Sequence, residues 1–208
     1  MTTMHSAARR RLFGLALAAL ACLPGAALAG LYPKAAPPGS AYVRVFNATA
    51  TPASAKIGDQ VIPEVPAFDG SAFVFLPAGS YPLQIGENTQ TGKLDADHYY
   101  TAVSESGAIH LFDQNRFDSQ LKALVSVFNL IDGAPLSLRT ADGKVTVIDA
   151  IASKALGQRE VNPVKITFGL FAGDNKVVDA KPLIMERGQT YSLIVSGTTA
   201  QPIVVWLK

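Results

Sequence analysis

Two segments of the chain repeat one residue pattern, and this repeat constrains the fold more than any other feature. Residues 42–47 (Tyr-Val-Arg-Val-Phe-Asn) match residues 124–129 (Leu-Val-Ser-Val-Phe-Asn) at an offset of 82 positions. Farther along, residues 94–100 match residues 185–191 at an offset of 91 positions, and each segment is an acidic turn that leads into a strand with tyrosine. Two matches in the same order predict two homologous units rather than a chance similarity.

The two units are predicted to cover residues 40–113 and 122–208, with a linker at residues 114–121. The offset grows by nine between the two matches, so we expect about nine extra residues in the second unit, between residues 150 and 163. Residues 30–39 are rich in proline and are predicted to form an extended arm.

The segments between the turns have the composition of β-strands. In the first match, Val43 and Val45 share one face, while Tyr42, Arg44 and Phe46 lie on the other. Similar short runs are separated by Gly, Pro, Asn and Asp, and long helical patterns are scarce. A second sheet would cover the apolar face of the first. We therefore expect an all-β chain of two tandem, small antiparallel β-sandwich domains joined by a short linker and preceded by a signal peptide.

The first 29 residues have the pattern of a secretory signal peptide. Three arginines at positions 9–11 precede a short apolar run at positions 12–23, and Ala27-Leu28-Ala29 provides the small-x-small cleavage pattern. Cleavage is predicted after Ala29. A membrane anchor is an alternative, although the run is shorter than the roughly 20 residues that a spanning helix needs. A lipoprotein attached through Cys22 is a second alternative.

Removal of residues 1–29 changes the charge and the thiol content of the chain. Lys+Arg falls from 18 to 15 against 16 Asp+Glu, because three arginines leave, so the mature net charge is near −1. This balance provides no basic surface for nucleic acid. The chain's one cysteine, Cys22, also leaves. At 49% hydrophobic residues the chain can bury a core, and its later apolar runs are short, so we expect a soluble, secreted mature protein.

The motifs of common enzyme classes are missing from the sequence. It contains no H-E-x-x-H, G-x-S-x-G, P-loop or G-x-G-x-x-G pattern. His98 follows Asp95 and Asp97, but on a strand those carboxylates share a face from which His98 points away, so an acidic hairpin turn is favoured over a metal site. We assign no catalytic residue, cofactor or metal. A hydrolase that uses His98 or His110 stays as an alternative.

A polar segment precedes a strong strand in the second unit, at the place where the extra residues are expected. Pro163 marks the segment as a strand start or an edge. Polar groups on an inserted loop form a plausible surface for docking a partner, and a solvated loop is the alternative. The candidate docking residues are Arg159, Glu160, Asn162 and Lys165.

Aromatic residues provide a further possible binding function. Five aromatic side chains could stack on sugar rings, but burial in the sandwich cores is the favoured interpretation. The residues are Tyr42, Tyr81, Tyr99, Tyr100 and Trp206.

Several blocks of the sequence together resemble the AlgF family of alginate O-acetylation accessory proteins. The resemblance runs from about residue 31 to the C-terminus. Its more specific blocks are Leu-Arg-Thr-Ala-Asp-Gly-Lys at 138–144 and Arg-Glu-Val-Asn-Pro-Val-Lys at 159–165. Weaker blocks lie at 31–32, 40–48, 75–81, 99–101 and 122–125.

The resemblance implies a periplasmic protein with two β-sandwich domains and no catalytic site of its own. Such a protein is needed for acetyl groups to reach mannuronate residues of the exported polymer. It would work beside SGNH-type periplasmic alginate acetyltransferases and a membrane-bound O-acyltransferase, and the catalytic Ser-His-Asp would belong to those partners.

Two functions follow as expectations. The first is a non-catalytic adaptor that bridges the acetyltransferase components, since holding reactants together raises their effective concentration. The second is a polysaccharide-binding module that presents alginate, although a net charge near −1 argues against strong attraction to a polyanion and leaves only weak contact. An acetylesterase or acetyltransferase in its own right is a weaker third option.

Overall fold

The computed structural model describes residues 35–105, 107–114 and 116–208. The predicted signal peptide at residues 1–29, its cleavage after Ala29 and residues 30–34 of the predicted arm lie outside the described residues. The described part is built from strands, and it contains no helix that is long and apolar enough to cross a membrane.

Nineteen strands follow one another along the described part of the chain. The first half of the molecule holds β1 (Ser40–Asn47), β2 (Ala53–Ile57), β3 (Gln60–Val65), β4 (Asp69–Gly70), β5 (Val74–Pro77), β6 (Gly79–Ile85), β7 (Asn88–Leu94), β8 (Tyr99–Glu105) and β9 (Ala108–Gln114). The second half holds β10 (Ala123–Asn129), β11 (Leu136–Thr140), β12 (Thr146–Ile151), β13 (Ala155–Val161), β14 (Lys165–Ile166), β15 (Phe168–Ala172), β16 (Asn175–Asp179), β17 (Leu183–Ile184), β18 (Thr190–Gly197) and β19 (Pro202–Leu207).

The strand order of the first half is repeated in the second. Sheet 1a has the order β3-β2-β6-β7, and sheet 1b has the order β4-β1-β8-β9 with β5 also on β1. Sheet 2a has the order β12-β11-β15-β16, and sheet 2b has the order β13-β10-β18-β19. Strands β14 and β17 form a separate two-stranded ladder. The prediction of two tandem all-β units is confirmed.

One pair of strands in each half runs parallel. Val43 of β1 lies opposite Tyr100 of β8, and Val125 of β10 lies opposite Tyr191 of β18. These partners are related by the offsets of 82 and 91 that the sequence shows, so the repeat is structural. The sheets are therefore mixed, whereas the sequence predicted antiparallel ones. Between β1 and β8 the chain passes through strands of both sheets, and this long connection provides the crossover that parallel pairing requires.

The asparagine that ends each repeat closes the loop after its strand. The side-chain amide nitrogen of Asn47 donates to the carbonyl oxygens of Thr51, Val65 and Pro66 at 2.7, 3.2 and 3.2 Å. The amide nitrogen of Asn129 donates to those of Ala134, Ile151 and Ala152 at 2.8, 3.0 and 3.2 Å. Both side chains are fully buried, so each satisfies carbonyl groups that would otherwise lack a donor.

The acidic turns form a second repeated contact. The Tyr100 hydroxyl oxygen accepts a hydrogen bond from the backbone N–H of Asp95 at 2.9 Å, and that of Tyr191 accepts one from the N–H of Glu186 at the same distance. Both tyrosines are buried. A buried tyrosine that bonds back to the chain a few residues upstream is a tyrosine corner, which fixes the turn before a strand in many sandwich domains.

Each half has its own hydrophobic core between its two sheets. Val43 and Val45 of β1 face the first core, and Val125 and Val127 of β10 face the second. All four are fully buried. The face assignment made from the alternating pattern of the first strand is confirmed.

A third apolar cluster lies between the two halves, at what we call the seam. Its buried members are Phe46, Val103 and Phe112 of the first half and Phe128, Leu130, Ile194 and Leu207 of the second. The rings of Phe112 and Phe128 meet edge to face with centroids 5.2 Å apart. These side chains lie on the outer faces of sheets 1b and 2b, so the layers follow the order 1a, 1b, 2b, 2a. The phenylalanine of each repeat is buried because the two units cover each other.

Candidate functional site

The seam holds a buried cation. Arg44 on β1 is only 2% exposed. Its Nε donates to Thr101 Oγ1 at 3.1 Å, its Nη2 donates across the seam to Ser192 Oγ at 2.6 Å, and its Nη1 donates to the main-chain oxygen of Lys208 at 3.4 Å. Thr101 and Ser192 are related by the offset of 91, so the two halves present matching hydroxyls to one guanidinium.

Arg44 keeps its charge despite its burial. Loss of hydration lowers the pKa of Arg44 to about 10, which is still well above neutral pH. Among the described residues no aspartate or glutamate side chain pairs with this guanidinium. Its central carbon lies 4.8 Å from the centroid of the Phe73 ring, an arrangement that attracts a cation to the face of the ring.

Polar side chains continue from Arg44 along the seam. Thr101 Oγ1 donates to Gln114 Oε1 at 3.1 Å, and Gln114 Nε2 donates to Ser126 Oγ at 3.4 Å. Gln158 Nε2 also donates to Ser126 Oγ, at 3.0 Å. Ser126 stands where Arg44 stands in the other repeat. A second arginine there would bring two buried cations onto the same interface, so the repeats diverge at this position.

A cleft opens in the seam beside Arg44, with a volume of about 140 Å³. Its walls come from both halves and from the connecting segment. They include Phe73 and Tyr99 of the first half, Phe117 between the halves, and Leu124, Thr190 and Ser192 of the second half. The cleft therefore exists only because the two sandwiches pack against each other, and the sequence alone did not reveal it.

One of the aromatic residues considered for sugar stacking, Tyr99, lines this cleft, and a second, Tyr42, packs against Tyr99. The rings of Tyr42 and Tyr99 are stacked with centroids 4.5 Å apart, and Phe73 meets Tyr99 edge to face at 5.4 Å. Burial raises the pKa of Tyr99. The other candidates serve the fold: Tyr100 forms a tyrosine corner, the Tyr81 hydroxyl donates to the Pro77 oxygen at 2.8 Å, and Trp206 packs against the second core.

Both histidines of the described region are paired with carboxylates. His98 Nδ1 lies 2.8 Å from Asp113 Oδ1, and His110 Nε2 lies 3.0 Å from Glu105 Oε2. Within residues 35–105, 107–114 and 116–208, no serine or threonine hydroxyl hydrogen-bonds to either ring, and no group of three or more His, Cys, Asp or Glu side chains gathers as metal ligands would.

An ionic cluster ties the two halves together beside His110. Lys154 Nζ lies 2.7 Å from Glu105 Oε2 of the first half and 3.2 Å from Asp132 Oδ1 of the second. Lys154 Nζ also donates to the backbone oxygen of Leu130 at 2.6 Å. Burial lowers the pKa of Lys154, but the hydrogen bonds to Glu105 and Asp132 have the larger combined effect, so the pKa is raised.

The predicted docking residues do not form one surface. Arg159 lies on β13, where its Nη1 donates to the backbone oxygens of Thr146 and Val147 at 3.4 and 2.8 Å and so links sheet 2b to sheet 2a. Asn162 Oδ1 accepts a hydrogen bond from Lys122 Nζ at 2.6 Å. Glu160 and Lys165 are exposed, and each has no side-chain partner among the described residues.

The segment that holds Arg159 and Glu160 is a strand, whereas the sequence suggested a loop. β13 pairs with β10 along its whole length, from Ala123 opposite Val161 to Asn129 opposite Ala155. Continuous backbone hydrogen bonds to a buried strand hold these residues extended, and the outer position in sheet 2b leaves their side chains in solvent. Arg159 and Glu160 point to opposite faces of this strand.

Three exposed apolar residues lie on neighbouring segments at one end of the second half, and sequence reasoning missed them. Leu121, Val164 and Ile184 are 69%, 50% and 64% exposed, and they are three of the five large apolar residues that stand exposed in the described part of the chain. Backbone bonds bring their segments together: the Met185 N–H donates to the Val164 oxygen at 3.1 Å, and the Gly188 N–H donates to the Lys122 oxygen at 2.8 Å.

We call this region the docking surface and define it by Leu121, Asn162, Val164, Lys165 and Ile184. Lys165 lies opposite Ile184 in the ladder, and Asn162 is held by Lys122. This definition includes Asn162 and Lys165 of the four residues named from the sequence and leaves out Arg159 and Glu160, and the docking role of all four stays a prediction. An isolated apolar residue between polar neighbours, as in Asn-Pro-Val-Lys, is the signal that could have revealed the apolar members.

Comparisons with known proteins agree over almost the whole chain. The family model described as "Alginate O-acetyl transferase AlgF" matches residues 12–192. An "Alginate biosynthesis protein AlgF" from Pseudomonas putida is 43% identical over 210 residues, which cover 100% of this chain and 97% of the relative. A protein with the same description from Azotobacter vinelandii is 41% identical over 214 residues, which cover 100% of this chain and 98% of the relative.

Two solved structures each match one part of the chain. The N-terminal domain of AlgF from Pseudomonas aeruginosa is 35% identical and covers 38% of this chain and 99% of that structure, with a TM-score of 0.36. The C-terminal domain of the same protein is 44% identical and covers 42% of this chain and 98% of that structure, with a TM-score of 0.39. On the family match and the near full-length identity to the relatives, the chain belongs to the AlgF family of alginate biosynthesis proteins.

Proposed function

We propose that the chain is a non-catalytic accessory protein that acts in the periplasm and bridges the components that O-acetylate alginate. The family description names O-acetyl transfer, and the relatives are described as alginate biosynthesis proteins. The partners would be SGNH-type periplasmic acetyltransferases and a membrane-bound O-acyltransferase. Holding these partners close together would raise the effective concentration of one at the other.

The observation that carries this proposal is the docking surface. Small proteins normally scatter their exposed apolar residues, and a group of them with polar neighbours marks a site of protein contact. Here Leu121, Val164 and Ile184 are grouped on three segments that backbone hydrogen bonds hold together. Lys165, Glu186 and Arg187 are exposed in the same segments, so the partner should offer an apolar patch with charged groups of both signs around it.

The non-catalytic part of the proposal is supported by how the reactive side chains are used. His98 is bound to Asp113, and His110 belongs to the ionic cluster of Glu105 and Lys154 that joins the halves. We expect His98→Ala to support normal alginate acetylation, because its ring binds only a surface carboxylate. Acetyl content of the polymer from a complemented deletion strain measures this. A loss of acetylation, with the variant protein present at its normal level, would favour an enzyme.

Co-purification tests the docking surface directly. The full chain carrying Val164→Asp and Ile184→Asp would be expressed in its natural host with a tag, and the alginate acetyltransferases that accompany it would be quantified. We expect recovery of the partner to fall by at least about tenfold, because two charges would replace apolar contacts at the centre of an interface.

A matched control separates docking from a general effect of added charge. Val61 and Val145 are 66% and 57% exposed and lie away from the docking surface, so Val61→Asp with Val145→Asp adds the same two charges elsewhere. This control should retain the partner. Equal recovery with both double variants would contradict the docking surface, and so would failure of the unaltered chain to recover any acetyltransferase.

The alternative function is a module that binds alginate, and the aromatic group at the cleft favours it. Tyr42, Tyr99 and Phe73 form a contact group that reaches the surface of the seam. Carbohydrate rings stack on such groups. Calorimetry with oligomannuronates would show saturable binding under this alternative, and Tyr42→Ala should weaken that binding. The adaptor proposal expects no saturable heat.

A further inference from the structure

We propose that the cleft beside Arg44 is a binding site for a small molecule that carries one carboxylate on a ring or a short apolar frame. The cleft lies in the seam, and none of the residues that line it belongs to the docking surface, so this inference does not rest on the adaptor proposal. It does bear on the alginate-binding alternative, because a sugar acid is one member of this ligand class.

The charge of the cleft is the first argument. A guanidinium has five N–H donors, and the protein engages three of those of Arg44, on Thr101, Ser192 and Lys208. Two donors remain, and Arg44 is the only charged residue among the described residues that line the cleft. No aspartate or glutamate side chain among the described residues pairs with Arg44, and its Nη1 reaches the main-chain oxygen of Lys208 only at 3.4 Å, so an anion that enters from solvent gains from its charge.

The number of charges selects the kind of anion. One guanidinium balances one negative charge, and its planar fork matches the two oxygens of a carboxylate. A phosphate that carries close to two negative charges at neutral pH would leave part of its charge without a counter-ion in this cleft. Arg116 lies next to Phe117 of the cleft in the sequence, but its Nε is already paired with Asp118 Oδ1 at 2.7 Å, so it does not supply a second free cation.

The walls select the rest of the ligand. Phe73, Tyr99, Phe117 and Leu124 present ring faces and apolar carbons, while Gln114 and Thr190 add hydrogen-bonding groups. The volume of about 140 Å³ lies below the range that begins at about 300 Å³ for drug-sized ligands. The ligand therefore has the size of one ring with a carboxylate.

The divergence between the two repeats supports a role for Arg44 beyond the fold. The second half builds the equivalent strand with Ser126 at this position, and that strand is fully buried and fully paired. The strand type therefore does not require arginine. The hydroxyls of Thr101 and Ser192 hold the guanidinium from both halves, which fixes its direction before a ligand arrives.

Nuclear magnetic resonance titration of the full chain tests the site. The probes are benzoate and glucuronate, with benzyl alcohol and glucose as their uncharged counterparts and inorganic phosphate as a second anion. We expect saturable shifts of the backbone amides of Tyr99, Phe117 and Thr190 with at least one carboxylate below about 10 mM, and none with its uncharged counterpart. Preference for glucuronate would identify a sugar acid, and preference for benzoate another carboxylate.

Two variants locate the binding. Arg44→Ser copies the second repeat and should weaken carboxylate binding by at least about tenfold. Because this change also removes the hydrogen bonds that Arg44 makes across the seam, Thr190→Trp serves as a second variant: Thr190 is exposed at the cleft, and the larger side chain should block entry. Thr91→Trp, at an exposed strand position away from the cleft, is the matched control and should bind normally.

Three results would overturn the inference. The first is the absence of saturable shifts with both carboxylates. The second is binding that Thr190→Trp leaves unchanged, which would place the ligand elsewhere. The third is tighter binding of phosphate, or of the uncharged counterparts, than of the carboxylates, which would contradict the assigned chemistry.

Discussion

At the scale of single residues, Asn47 and Asn129 show how one side chain can specify a loop. Each amide nitrogen serves three backbone carbonyls, and each amide oxygen accepts a backbone N–H two residues later, from Thr49 and Ile131 respectively, at 3.1 Å. In each Val-Phe-Asn repeat, therefore, the valine packs in a core, the phenylalanine packs in the seam and the asparagine stabilises the following loop.

Replacement of this asparagine should be costly. Asn129→Ala leaves buried backbone groups without partners, and we expect the free energy of unfolding to fall by about 2–4 kcal/mol. Urea denaturation monitored by Trp206 fluorescence measures the change. Asn175→Ala, at an exposed position on β16, is the control and should change stability by less than about 0.5 kcal/mol. A similar small change for Asn129→Ala would contradict the role of its hydrogen bonds.

At the scale of strands, β13 depends on a residue without a side chain. A Cβ atom on Gly157 would lie 2.7 Å from carbon atoms of both Ile148 and Ile151, which is closer than such atoms pack. The backbone of β13 thus approaches the side chains of β12 directly, and this contact closes one side of the second sandwich.

Gly157→Val should therefore destabilise the second half. Overpacking at this contact forces β12 and β13 apart, and we expect a loss of about 1–3 kcal/mol in the free energy of unfolding. Glu160→Val places the same side chain at an exposed position of the same strand and serves as the control. Denaturant unfolding of the two variants gives the comparison. Equal stabilities would show that the close approach of β12 and β13 is unimportant.

The strand faces were predictable from the sequence, but the pairing was not. The alternation of Val43 and Val45 with Phe46 shows which side chains share a face, since that period is the same in every strand. It is also the same in parallel and antiparallel strands, so the parallel pairs could not be recognised. The polar side chains of β13 suggested a loop. The segment is a strand because its backbone pairs with β10, and backbone pairing does not depend on side-chain polarity.

The sites were less predictable than the fold, for a related reason. Asn162 and Lys165 were proposed for docking because of their polarity at an expected edge, and in the structure they lie on segments that also carry exposed apolar residues. The exposure of Leu121 and Ile184 depends on how their segments meet, and the cleft at Arg44 forms only when two distant faces stack. The meeting of separate segments and the stacking of distant faces cannot be inferred from the spacing of residues along the sequence.

At the scale of the whole described molecule, the seam joins two sandwiches that each have a complete core. Phe46, Phe112 and Phe128 are buried in it, and the Lys154–Glu105 ion pair lies at its margin. Small sandwich domains bury a modest fraction of their surface, so mutual coverage adds stability that neither half has alone. It also keeps the cleft assembled from both halves.

Weakening the seam should separate the unfolding of the two halves. Phe128→Ala removes a fully buried ring, and we expect a loss of about 3–5 kcal/mol. Because each half keeps its own core, differential scanning calorimetry should then show two transitions where the unaltered chain shows one. A single transition at an unchanged midpoint would contradict the view that the seam couples the halves.

The measurement that bears most directly on how the protein works is the acetyl content of alginate from a deletion strain complemented with variants of the full chain. With Val164→Asp and Ile184→Asp together, we predict acetylation at the level of the uncomplemented deletion, while Val61→Asp with Val145→Asp restores it. Immunoblots would establish equal protein levels. Full acetylation with the docking-surface variant would contradict the proposal that the protein acts by binding its partners through this surface.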